Sequence, residues 1–98
     1  MEKPVLIEKE ELINESFPSD DVLKDKAAKE QRRNDLQHAM RFGNNEKGKI
    51  ALVFDTQDNE TKRVETTVWS VTENNVLLKK GITLPIRAIR EINLYPVD

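Results

Sequence analysis

The sequence predicts an α+β fold, mostly β, in which an N-terminal helix precedes a small five-stranded antiparallel barrel or strongly bent sheet. Apolar residues recur at helical spacing up to about residue 42, and from residue 50 onward they alternate with polar residues, as in half-buried strands. Asparagines and glycines then divide the second half into short segments. The predicted units are an acidic, disordered tail at 1–18, a basic helix at 19–43 and the small barrel at 48–96.

The composition limits the size of the core. The chain has 98 residues, of which 37% are hydrophobic and 35% charged, so it has room for one domain with a small interior. Cysteine is absent, which excludes disulfides and thiolate metal sites and is typical of a reducing compartment. Because the acidic start does not suit a signal peptide and no apolar run is long enough to span a membrane, we expect a cytoplasmic protein.

Charge is unevenly distributed, although the net charge is only −2. Residues 1–20 are acidic, whereas residues 21–49 hold eight bases and five acids. Such asymmetry can mark a nucleic-acid surface, but a separation of a few charges also arises by chance.

In the first 18 residues, glutamates flank a short apolar group that consists of Val5, Leu6 and Ile7. A group of this size does not form a core, so we expect disorder. The alternative is that the segment docks as an added strand on a sheet edge, in this molecule or in another.

The helix is expected to run from about Asp21 to Phe42. Ser19 or Asp20 suits its N-cap, and Gly43 suits the left-handed residue that closes a helix. Apolar residues at helical spacing occur only near its end, at positions 36, 39 and 40. We therefore expect the second half to dock and the first half to project.

The strands are predicted from alternation and turns. Residues 49–56 and 62–72 are predicted to form a hairpin, and Asn74 with Asn75 tolerates the positive φ of a further tight turn. Lys80 and Gly81 turn the chain again.

The last part of the predicted barrel begins with a corner. Pro85 and the spacing of the isoleucines after it indicate a single 3₁₀-like turn. A final strand should follow and end at Tyr95, before Pro96.

Two segments resemble the motifs of the SH3-like and Sm-like small barrels, over roughly residues 40–95. "NNVLL" is similar to the end of the first Sm motif, with Asn75 in the asparagine place, and "PIRAI" to the second, with Arg87 in the arginine place. Thr72 and Ala88 depart from that pattern, where the family has an acid and a glycine. The resemblance implies a small barrel and an RNA-binding role.

The whole chain also resembles short uncharacterised proteins of Bacteroidetes-type bacteria. The shared features are a basic "RR" helix and the later segments "VETTVW" and "LLK". This resemblance implies no particular activity.

No group of residues specifies an enzyme, a cofactor or a metal site. His38 lies near Asp35, but no nucleophile or set of converging ligands accompanies it. The acids Asp55, Asp58 and Glu60 lack the glycine and the terminal glutamate of a calcium loop. We therefore expect no catalytic residue and no small-molecule substrate.

Trp69 has two interpretations. It either covers the docked end of the helix at Leu36 and Met40, or it forms a stacking platform for a nucleic-acid base. Single-strand binders usually present several aromatic residues, which favours the first interpretation.

Two functions remain open after these exclusions. The first is an interaction or assembly module, in which the exposed edge of the last strand or the thinly packed first half of the helix binds a protein partner or a second copy. The alternative is binding of single-stranded RNA or DNA through the basic helix and the barrel rim. The candidate contact residues are Lys29, Arg32, Arg33, Arg41, Lys47, Lys49, Trp69, Lys79, Lys80, Arg87 and Arg90.

Overall fold

The computed structural model describes residues 3–46 and 48–94. Over these residues it contains one long helix and seven strands, arranged in two sheets. The helix α1 spans Lys26–Glu46, and the strands are β1 Val5–Ile7, β2 Ile50–Asp55, β3 Thr61–Thr66, β4 Val68–Val71, β5 Asn75–Leu78, β6 Thr83–Pro85 and β7 Ile89–Asn93. Three 3₁₀ turns lie at Lys9–Asn14, Lys79–Gly81 and Ile86–Ala88.

The two sheets are continuous in the chain but separate in their hydrogen bonding. The first has the order β1-β3-β2-β7 and the second the order β4-β5-β6. The chain passes between them at Thr67 and at the 3₁₀ turn Ile86–Ala88, which confirms the predicted corner. The α+β class is confirmed, whereas the described residues form no closed barrel, so the five-stranded barrel is not.

The core forms around β2, which lies between β3 and β7. All six of its residues are buried, and Leu52 pairs with Val64 of β3 in the predicted hairpin. Phe54 is fully buried and packs against Phe17, with 5.9 Å between ring centroids. Leu36 of the helix belongs to the same hydrophobic core. Each fully buried side chain of this size contributes about 1.5–3 kcal/mol of hydrophobic stabilisation.

The helix begins at Lys26, later than the predicted start near Asp21. The preceding residues bind the corner instead, because the Val22 N–H donates to the Arg87 carbonyl at 2.9 Å. Asp25 takes the capping role expected of Ser19 or Asp20, since its carboxylate accepts from the Ala28 N–H at 3.3 Å.

Gly43 lies inside α1 and does not end it, contrary to the prediction. A Cβ atom at this position would collide with the Val68 carbonyl of β4. Glycine is therefore required here for the close approach of helix and strand, and not for a left-handed φ.

The N-terminal segment is packed on the first sheet, which differs from the expected disorder and agrees with the docked-strand alternative. β1 pairs with β3 in parallel, with Leu6 opposite Arg63. Leu12 is only 3% exposed, and the Lys62 ammonium donates to the Glu15 carboxylate. These contacts supply the apolar burial and polar pairing that the segment lacks on its own.

The turns follow the prediction at one position and depart from it at another. Lys80 and Gly81 have φ values of 69° and 80°, so they turn the chain as expected. Asn74 and Asn75 do not have positive φ among the described residues. The turn at Thr72 closes instead through its N–H, which donates to the Asn75 carbonyl at 2.8 Å.

Candidate functional site

A cavity of about 320 Å³ lies beside the first half of α1 and the 3₁₀ turn Ile86–Ala88. We call it the basic pocket. It is lined by Asp21, Lys29, Arg32, Arg33, Glu73, Asn74, Ile86 and Arg87. Four predicted contact residues meet here, three from the helix and one from the corner, although the sequence places them in two separate patches.

The basic pocket is electropositive. Four cationic side chains line it against two carboxylates, Asp21 and Glu73, so an excess of two positive charges remains at neutral pH. The chain as a whole has a net charge of −2. This local excess in an acidic molecule favours an anionic ligand.

Arg32 is buried at 6% exposure, which corrects its prediction as a surface contact. Its terminal nitrogens donate to both Asp21 carboxylate oxygens, at 2.9 and 2.6 Å, and to the Ile89 carbonyl at 2.9 Å. Its Nε is buried without a partner among the described residues. Arg32 therefore contributes its charge to the pocket wall and fastens the first half of α1, which was expected to project.

The Asp21 carboxylate is held in its charged form. Partial burial acts to raise the pKa of Asp21, but the hydrogen bonds from Arg32 and from the Leu23 N–H outweigh it, and the pKa lies below its ordinary value. Asp21 therefore stays ionised, and paired with Arg32, to a lower pH than a free aspartate would.

Arg33 and Arg87 each hold a backbone segment with part of the guanidinium group. Arg33 Nη2 donates to the Glu73 carbonyl at 2.8 Å, in the turn between β4 and β5. Arg87 Nε donates to the Pro18 carbonyl at 2.6 Å. These bonds fix the position of both side chains at the pocket.

Two groups in the basic pocket retain donor capacity. The Lys29 ammonium makes no hydrogen bond to any residue that the structure describes, and the same holds for the terminal nitrogens of Arg87. Lys29 is exposed and interacts with Asp21 only through its charge. A ligand could therefore accept from Lys29 and Arg87 without breaking a bond of the folded protein.

The other predicted contact residues lie apart from the basic pocket. Arg90 donates to the Asp55 carboxylate at 2.6 Å, and this hydrogen bond raises the pKa of Arg90. The negative charge of Asp55 balances the positive charge of Arg90. Lys80 lies 3.9 Å from Glu10. Arg41 lines a different cavity with His38, Lys49 lines none of the cavities described here, and Lys47 falls outside the described residues.

Trp69 lies in β4, near the C-terminal end of α1 and away from the basic pocket. It is 44% exposed, whereas its neighbour Val68 is fully buried. With Lys79, Gly43 and Asn44 it lines a cavity of about 290 Å³. A ring that is partly exposed and lies beside Gly43 and Asn44 of the helix is compatible both with covering the helix end and with stacking on a base.

Four members of the basic pocket, Asp21, Glu73, Asn74 and Ile86, are not among the contact residues predicted from the sequence. Asp21 was predicted only as the helix start and Asn74 only as a turn residue. The Asp21 contact with Arg32 was also missed, because a separation of 11 residues has no signature outside a regular helix.

No helix within 3–46 and 48–94 is both long and apolar enough to cross a membrane. The same ranges contain no group of three or more histidine, aspartate and glutamate residues that could hold a metal ion.

No family model, no curated protein and no solved structure matches this chain.

Proposed function

We propose that this protein is a non-enzymatic binding module that holds single-stranded RNA or DNA by phosphate in the basic pocket. The observation that carries the proposal is the convergence of Lys29 and Arg33 of the helix with Arg87 of the corner. Lysine and arginine contacts to phosphate supply most of the affinity of non-specific nucleic-acid binding.

The pocket is suited to binding because its three arginines are held in place by hydrogen bonds within the protein. Arg33 and Arg87 are oriented by their bonds to the Glu73 and Pro18 carbonyls. Side chains that are fixed before the ligand arrives lose less conformational entropy on binding. Arg32 adds an immobile charge behind them.

Trp69 supplies a second contact in this proposal. Its exposed ring, next to Lys79, is available to stack on a base. The helix links the two sites, because Arg33 contacts the end of the β4–β5 turn and Gly43 contacts β4 near its start. From position 33 to position 43 an α-helix rises about 15 Å, a distance that a few nucleotides span.

The test is a titration of labelled single-stranded oligonucleotides followed by fluorescence anisotropy at several salt concentrations. We expect binding to weaken steeply with salt, with a slope of log K against log salt of about −0.7 for each phosphate contact. Lys29→Gln should weaken binding and reduce this slope by about 0.7. Its matched control is Lys49→Gln, which removes the same charge at an exposed site outside the pocket.

Two results would contradict the proposal. One is the absence of binding at low salt, and the other is an equal effect of the Lys29 and Lys49 substitutions, which would indicate a response to net charge alone.

A second candidate function, protein interaction or self-assembly, is favoured by the edge strand β1. Val5 and Leu6 are 61% and 58% exposed, and Ile13 in the following 3₁₀ turn is 74% exposed. An apolar edge strand with one unpaired side can accept a further strand from another chain. The expected edge of β7 is less available, because Arg32 already binds the Ile89 carbonyl.

Sedimentation velocity over a range of concentrations tests this second candidate. Association should appear at high concentration and be lost in Leu6→Lys, while Lys3→Glu, at an exposed position near the same strand, leaves it intact. A monomer at every concentration, together with no change in Leu6→Lys, would remove self-assembly.

We also propose that residues 50–93 are related to the SH3-like and Sm-like small barrels. If β3 and β4 are counted as one strand bent at Thr67, five strands remain in this range. Pairing of β2 with both β3 and β7, and of β5 with both β4 and β6, supports this relationship. So does the 3₁₀ turn Ile86–Ala88 before the last strand.

A further inference from the structure

Within residues 3–46 and 48–94, four cationic side chains line the basic pocket, whereas the cations of the sheets do not form a continuous basic track. Outside the pocket, most cations of the sheets and the N-terminal segment lie beside carboxylates. Arg90 contacts Asp55, Lys62 contacts Glu15 and Arg63 contacts Glu65. A ligand that crossed the sheets with one charge per phosphate would meet this neutralised surface.

From this distribution we infer that the basic pocket binds a terminal phosphate monoester, so that the protein holds the end of a strand. The inference rests on the proposed function and narrows its ligand class. A terminal phosphate carries about −1.5 to −2 charges at pH 7, whereas an internal phosphodiester carries one. The excess of two positive charges in the pocket matches the terminal group.

The charges that line the basic pocket also favour the end of a nucleic-acid strand over its interior. Glu73 and Asp21 stand among its cations, and each repels any further phosphate that passes close to it. An internal phosphodiester has a neighbouring phosphate in both directions, so it brings two further negative charges towards these carboxylates. A terminal phosphate has a neighbour in one direction only and brings one.

The size and lining of the pocket allow more than a bare phosphate. A volume of about 320 Å³ falls within the range of roughly 300–1,000 Å³ found for small-ligand sites. Asn74 offers an amide that can both donate and accept hydrogen bonds, and Ile86 offers an apolar surface. The terminal nucleotide can thus contribute its sugar or base beside the phosphate held by Lys29 and Arg87.

The experiment compares short single strands of one sequence that differ only in their ends. The probes carry a 5′-phosphate, a 3′-phosphate, no terminal phosphate, or a 5′-phosphate capped as its methyl ester. The capped strand is the sharpest control, because it keeps the size of the phosphate and removes its second charge. A nucleoside monophosphate and inorganic phosphate, used as competitors, distinguish a strand end from a free nucleotide or a free anion.

We expect one phosphorylated strand to bind about tenfold more tightly than both the unphosphorylated and the methyl-capped strands, as a further charge-assisted contact provides. Lys29→Gln and Arg87→Gln should each reduce this ratio to below about threefold, while Lys49→Gln leaves it unchanged. The ratio should also shrink as the pH falls below about 6, where the terminal phosphate loses its second charge.

Equal affinity for all four ends, with binding still sensitive to Lys29→Gln, would overturn the inference and leave the proposed function standing. Absence of binding by every strand would remove both. Competition by inorganic phosphate as effective as that by the nucleoside monophosphate would overturn the assignment to a strand end and leave an anion site.

Discussion

Asp21 and Arg32 are joined by two charge-assisted hydrogen bonds, of 2.6 and 2.9 Å, between the segment before the helix and the helix itself. Through Arg32 Nη1 this pair also reaches the Ile89 carbonyl of β7. One ion pair therefore fixes the helix, the preceding segment and the first sheet at the wall of the basic pocket. Removal of either partner should affect both stability and binding.

The first prediction concerns the loss of this carboxylate. Asp21→Asn leaves the Arg32 charge buried with one carbonyl and a weaker amide acceptor, and we expect it to reduce the free energy of unfolding by about 2–3 kcal/mol. Urea denaturation at neutral pH measures this change. Asp20→Asn is the matched control at an exposed position, and it should change stability by less than about 0.5 kcal/mol.

The second prediction follows from the lowered pKa of Asp21. Because the folded pKa lies below the unfolded value of 3.8, the stabilisation is present above about pH 4 and is lost as the pH falls through the lower folded value. Denaturation curves from neutral pH to about pH 2.5 should therefore converge for the wild type and Asp21→Asn at the acid end. A constant difference between the two across this range would contradict it.

Local features of the sequence predicted the β half better than the helix. The Lys80–Gly81 turn and the corner after Pro85 depend on the backbone preferences of residues that are adjacent in sequence, and both are found. The helix start depends on Val22 binding the Arg87 carbonyl, a contact across most of the chain. A contact between residues so far apart leaves no periodic pattern in the sequence.

The sequence predicted the cationic residues of the candidate site but not how they are arranged in space. Arginine and lysine positions are visible in the sequence, but their pairing depends on which carboxylates the fold brings near. Arg87 lies in the corner and Arg90 three residues later, yet Arg90 reaches Asp55 while Arg87 lines the basic pocket. Only three-dimensional proximity separates a neutralised cation from one that can bind a ligand.

The third prediction tests the close approach at Gly43. In an exposed helix interior, replacement of glycine by alanine stabilises by about 0.5–1 kcal/mol. At Gly43 the added Cβ meets the Val68 carbonyl, so we expect Gly43→Ala to destabilise by about 1–3 kcal/mol instead. Asn34→Ala, at an exposed helical position, is the control and should be neutral or slightly stabilising. Thermal unfolding of both variants provides the comparison, and a gain in stability from Gly43→Ala would show that the helix can move away from β4.

The fourth prediction distinguishes a docked N-terminal segment from a disordered one. Leu12 is 3% exposed and its neighbour Ile13 is 74% exposed. If the segment is part of the core, Leu12→Ala should reduce the free energy of unfolding by about 2–4 kcal/mol, whereas Ile13→Ala should change it by less than about 0.5 kcal/mol. Equal and small effects of the two substitutions in urea denaturation would mean that the segment does not contribute to the folded core.

The fifth prediction uses Trp69 as a reporter, since the chain contains a single tryptophan. At 44% exposure its ring is accessible to solvent, so its fluorescence should be quenched by iodide in the free protein. If a base stacks on the ring, saturating oligonucleotide should quench the emission and protect it from iodide, and Trp69→Ala should weaken binding by about 1–3 kcal/mol. Binding that is detected by anisotropy but leaves the Trp69 emission and its access to iodide unchanged would place the nucleic acid at the basic pocket alone.

In that case Lys79, which lies beside Trp69 in the same cavity, should also be replaceable without loss of affinity. The pair of measurements therefore decides whether the helix carries one nucleic-acid contact or two.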